Sequence, residues 1–244
     1  MDPRYAEAHV SLGIALRQAG EHDDAIRCYQ RAIEINPHFG VAHANLAIAI
    51  EARAEADANT PGGETPGTEL IEATAHAVQL DPGNALLQRN HGTLLFRAGK
   101  RSEACDAFNR ALGLAPADVE SCLRLGMCLR LLGQFTQATV LYEKWLERNP
   151  PSAPVMRQLS ILLTVGRADD SLRWAERAVA LEGSAAAYHQ LGNALQQSRR
   201  LPEAIAALER SLELSGYRQA SLYSVLLFVL NYVHEDPQPI LQRH

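Results

Sequence analysis

Few features of a membrane protein, a nucleic-acid binder or an enzyme occur in this 244-residue chain. Its longest apolar run, Val225 to Leu230, is far short of the roughly 20 residues a membrane helix needs. Basic residues form no stripe and the net charge is -5, which argues against a nucleic-acid surface. The first residues, MDPRYAEAH, lack the basic and apolar regions of a signal peptide. Cys28, Cys105, Cys122 and Cys128 show neither CxxC nor zinc-ligand spacing, so free thiols in a reducing cytoplasm are the expectation. Ser, His and Asp occur without a GxSxG nucleophile motif, and the glycines form no phosphate loop. The nine histidines make no metal or catalytic constellation. No catalytic residue, metal or cofactor is therefore expected, and no enzymatic activity in this chain.

What is present is a repeat. Between Ala6 and Pro37 stand Leu12-Gly13, Leu16, Gly20, Ala25, Tyr29, Ala32 and Pro37. Small residues at Gly13, Ala25 and Ala32 let two helices approach, and Leu12, Leu16 and Tyr29 fill the space between them. Gly20 lets the chain turn, and Pro37 ends the second helix. Such a hairpin cannot bury its own apolar face and needs neighbours. The pattern resembles the tetratricopeptide repeat (TPR), which implies an all-α, right-handed superhelical solenoid of helix-turn-helix units.

Six units follow at a period near 34 residues. They span 6–39, 40–84, 85–118, 119–152, 153–184 and 185–218. The second is interrupted by 55–69, EADANTPGGETPGTE, whose Gly, Pro, Thr and acidic residues predict an inserted loop. In the fourth, Trp145 stands where the pattern asks for a small residue. The fifth is one or two residues short. Asp2-Pro3 precedes Ala6 as Asn36-Pro37 precedes Gly40, so the array is expected to continue upstream. Asp23-Asp24 and Asp169-Asp170 open second helices, where they complement the helix dipole. His9, His43 and His189 share one phase that predicts packing. His91 takes a leucine position and should be partly buried.

Residues 219–244 depart from the repeat and are read as capping or junction helices. Ser224, Leu226-Leu227-Phe228, Leu230-Asn231-Tyr232, Asp236-Pro237 and His244 resemble the junction segment of bacterial proteins similar to O-linked N-acetylglucosamine transferase. In that family the segment joins a TPR array to a glycosyltransferase domain, which the resemblance places beyond His244. No sugar-nucleotide site can therefore be carried over.

The functional candidates lie in the first helix of each unit. Just before its core leucine position stand Ser11, Asn45, Asn90, Arg124, Gln158, Gln190 and Ser224. In a TPR superhelix this helix lines a concave groove. An amide there offers both a donor and an acceptor to the backbone of an extended peptide. The transferase family has an asparagine ladder at this phase; Asn45 and Asn90 match it by type. Arg124 would suit an acidic group. Gln18, Asn193 and Gln197 widen the polar surface. The expected function is capture of a protein or peptide in the groove, as the recruiting region of a glycosyltransferase-like protein. The alternative is a stand-alone scaffold or chaperone-type adaptor. Neither nucleic acid nor membrane is an expected partner, and exposed array ends could stack end to end. A clamp for acidic tails would need several aligned cations, and Arg124 stands alone.

Overall fold

The computed structural model describes residues 3–56 and 68–216. They form twelve α-helices and, among the described residues, no strand. The chain divides into two compact units, Met1–Gly133 and Gln134–His244.

The first unit holds α1 (Pro3–Gln18), α2 (His22–Ile35), α3 (Gly40–Ala56), α4 (Thr68–Leu80), α5 (Ala85–Arg97), α6 (Arg101–Leu114) and α7 (Val119–Leu131). Consecutive helices pack as hairpins, and α1, α3 and α5 also touch one another in sequence. The core of the first hairpin gathers Val10, Ala25, Tyr29 and Ala32 with Ala42, Leu46 and Ala49 of α3. A hairpin therefore finishes its core on the next repeat. Burying an aliphatic or aromatic side chain of this kind contributes about 1.5–3 kcal/mol. The second unit holds α8 (Phe135–Arg148), α9 (Ala153–Leu163), α10 (Ala168–Leu181), α11 (Ala185–Gln197) and α12 (Leu201–Leu214). Its cores join Leu172 and Ala175 to Ala194, Leu195, Ala204 and Ala207, and Ala153 and Met156 to Ala178.

The small residues do what their spacing implies. A methyl group added at Gly13 would stand 2.6 Å from the Tyr29 ring, and one at Gly92 2.9 Å from Phe108. At Gly192 it would meet Leu208 at 2.6 Å. Five first helices, α1, α5, α7, α9 and α11, are followed by a left-handed residue. Gly20 takes a φ of +84°. Its N–H donates to Arg17 O, and the Glu21 N–H donates to Leu16 O at 2.9 Å. This double bond pattern satisfies the last carbonyls of the helix and needs a left-handed residue. Gly99, Gly133 and Gly166 repeat it in φ, but in the sixth repeat the residue is Arg199, at a φ of 57°.

Several starts carry side-chain caps. Asn84 accepts from the Leu87 N–H, Asp118 from the Ser121 N–H and Ser184 from the Ala187 N–H. Asp23 and Asp24 lie in the first turn of α2, and Asp169 and Asp170 in that of α10. The short fifth repeat shows as an eleven-residue α9, against thirteen in α5, α7 and α11. The insertion is narrower than 55–69, because α3 runs to Ala56 and α4 begins at Thr68. Glu55 and Ala56, both good helix formers, extend α3. Residues 57–67 and the expected junction segment 219–244 lie outside the described residues.

Candidate peptide-binding surface

Packing puts the first helices of neighbouring repeats side by side, α1 with α3 and α3 with α5 in the first unit, α9 with α11 in the second. The expected amide column is thereby distributed over adjacent helices within each unit. Its members differ in burial.

In the first unit Ser11 is exposed, and its hydroxyl donates to Glu7 O of its own helix at 3.0 Å. Asn45 is half-buried, and its amide donates to Val41 O at 2.9 Å. Asn90 is only 3% exposed. Arg124 is half-buried and donates from Nε to the Glu120 carboxylate at 2.7 Å. An acidic ligand group at Arg124 would therefore compete with Glu120. Gln18 is exposed.

In the second unit Gln158 is half-buried, Asn193 is half-buried and Gln197 is exposed. Gln190 is 6% exposed and its Nε2 donates to the Ser160 hydroxyl at 2.9 Å. Ser160 in turn donates to Ser171 O at 2.9 Å, and Ser171 donates to Ser160 O at 2.8 Å. Thr164 adds a bond to Ser160 O at 3.1 Å. Gln190 thus joins α11 to the α9–α10 hairpin. The expectation that Asn90 and Gln190 front an open surface is corrected on this ground: both are enclosed, Gln190 because a serine replaces the small apolar residue opposite it.

Apolar side chains fill the surface the enclosed amides do not. Val41, Leu86, Met127 and Ile161 are exposed. Each lies three or four residues along its helix from Asn45, Asn90, Arg124 or Gln158, which places it on the same face one turn away.

Several cations beside this face are committed. Arg89 pairs with Asp118 at 3.0 Å and Arg97 donates to Ile50 O at 3.3 Å. Arg110, on α6, donates to the Gln88 side chain at 3.0 Å. Burial alone would push the Asp118 carboxyl up; the Ser121 hydroxyl and Arg89 more than reverse this and hold it below the usual carboxylate range. These ties between repeats escape a reading of helical phase, although Asp118-x-x-Ser121 carries a cap signal.

Two histidines, His43 and His91, are packing groups. His43 is buried with Nε2 at 2.9 Å from Pro37 O, and His91 is buried with Nδ1 at 2.9 Å from the Thr74 hydroxyl. Burial lowers the pKa of both, and of His189. All four cysteines are free thiols. Burial pushes Cys122 and Cys128 up to about 12. Among the described residues no helix is long and apolar enough to cross a membrane, and no group of three His, Cys, Asp or Glu is placed to hold a metal.

Comparison with known proteins agrees with this architecture. Sequence models of the tetratricopeptide repeat match residues 6–39, 89–154 and 184–216, together more than half of the chain. Among solved structures, pilF of Pseudomonas aeruginosa is 21% identical, with a TM-score of 0.67 over 91% of this chain and 96% of that one. PilW, a widely conserved type IV pilus biogenesis factor, is 17% identical, with a TM-score of 0.72 over 91% and 98%. YrrB, a TPR protein with an unusual peptide-binding site, is 19% identical, with a TM-score of 0.54 over 80% and 96%. Likeness at this identity concerns the fold. With helical hairpins recurring in both units and three repeat matches along its length, the chain belongs to the tetratricopeptide repeat family.

Proposed function

We propose that this chain is a binding module for an extended polypeptide bearing apolar side chains, held against the first helices of its repeats. One observation carries the reading: on successive first helices an exposed apolar residue stands one turn from the amide phase, as Val41 does from Asn45 and Ile161 from Gln158. Amides can pair with a peptide backbone, while the apolar residues receive its side chains. Asn45 and Gln18 are the proposed contacts in the first unit, with Arg124 at their edge, and Gln158, Asn193 and Gln197 those in the second. The pairing of Arg89, Arg97 and Arg124 within the protein favours apolar segments over acidic tails. A peptide-binding site in YrrB, of the same fold, is consistent with this use. The reading is of a scaffold and not an enzyme, in a reducing cytoplasm that suits four free thiols.

A transferase-linked role rests on the resemblance of residues 224–244 alone, while the similar proteins named above point to repeats.

The test is an immobilised peptide array probed with the full chain, followed by calorimetry on the peptides retained. Asn45→Ala in the first unit, or Gln158→Ala in the second, should weaken an apolar extended peptide held by that unit about tenfold, equivalent to about 1.4 kcal/mol, with unchanged circular dichroism. Equal affinity of the variant, or a preference for acidic tails, would overturn the proposal.

A further inference from the structure

Four of the nine histidines surround α4, the helix that follows residues 57–67. His76 lies on α4, and its ring centroid is 4.9 Å from that of His38, in the turn between α2 and α3. His43, on α3, interacts electrostatically with both. His91, on α5, bonds to Thr74 of α4. α4 and α5 share a core at Ala77 and Leu87, with Val78 beside them.

The hydrogen bonds fix the protonation states. His43 Nε2 faces the Pro37 carbonyl, which can only accept, so Nε2 carries the proton. Its Nδ1 is buried without a hydrogen-bond partner. A second proton there would make a buried cation with an unanswered N–H. At His91, the Thr74 hydroxyl donates to Ile71 O at 3.0 Å and so accepts from His91 Nδ1. Charging His91 would add a proton at Nε2 in a buried site. Arg110 and Lys100 oppose that charge and Glu103 favours it. His38 and His76 are exposed, with their rings in contact, and Glu72 stands four residues before His76 on α4.

We propose that acidification loosens α4 from α3 and α5, making the second repeat a pH-responsive joint. The sign follows from linkage. His43 and His91 are neutral while α4 is seated, and an opened α4 lets each take up a proton near the ordinary histidine value of about 6.5. Seating is therefore fully favoured above that value and is lost progressively as pH falls below it, down through the lowered values of the seated rings.

The experiment is amide hydrogen exchange on the full chain at about pH 7.5 and about pH 5.5, corrected for intrinsic rates, with α10 and α12 as references. Two buried histidines set an upper limit on the order of 100-fold for the rise in α4 opening at the lower pH, relative to those references. His91→Leu, which restores the leucine of the repeat, should remove a measurable part of that rise, at most about tenfold. Equal relative protection of α4 at both pH values overturns the proposal. So does a pH response that persists undiminished in His91→Leu.

Discussion

The hairpins α5/α6 and α9/α10 close the same crossing by different means. In the first, Gly92 leaves room for the Phe108 ring, and an added methyl would clash. In the second, Ser160 takes the glycine position and Ser171 the facing alanine position. The residue four beyond Ser171, where other repeats place Tyr29 or Phe108, is Ala175. The bulk lost from the second helix is partly recovered on the first, and the hydroxyls bond across the gap and to Gln190. A crossing of fixed width can thus be filled by shape or by hydrogen bonds. The polar solution also reaches a third helix, and it is less forgiving, because a buried donor without an acceptor costs more than a missing methyl group.

Truncation should separate the two closures most clearly. Phe108→Ala removes a fully buried ring and should lower stability by about 3–5 kcal/mol in denaturant unfolding. A loss no larger than that of an exposed residue would mean the ring is not the filler. At the polar crossing, Ser160→Ala removes few atoms but strands the Gln190 amide, and about 1–3 kcal/mol should be lost. Adding Gln190→Leu should restore part of it; a strictly additive double variant would break the proposed coupling. The smallest effect concerns the turns. Arg199 occupies the left-handed position that glycine holds in four other repeats. Arg199→Gly should therefore stabilise the chain by about 1 kcal/mol, read as a higher Tm.

The hairpins were legible because their signal is local. Gly13 with Tyr29 and Gly92 with Phe108 recur at constant spacing, and Pro37, Pro82 and Pro116 close the second helices. Gln190 was not legible as a packing residue. Its helical phase placed it with the open amides, while the acceptor that draws it inward lies 30 residues earlier. A serine at a small position looks like a neutral exchange until its hydroxyl is seen to face another polar group. Arg199 was equally hidden, since only the backbone dihedral shows that the turn was made without glycine. Asn45 and Gln158 keep the half-buried setting a contact residue needs, and the apolar partners Val41 and Ile161 appear only once exposure is known.

Asp118 sits at a joint between repeats. One carboxylate caps α7 through the Ser121 N–H, accepts the Ser121 hydroxyl at 2.5 Å and holds Arg89 of α5. Fraying at the front of α7 therefore also frees Arg89 of α5 from its partner. In an array where each module leans on its neighbours, such a latch adds to the coupling between the third hairpin and the helix after it.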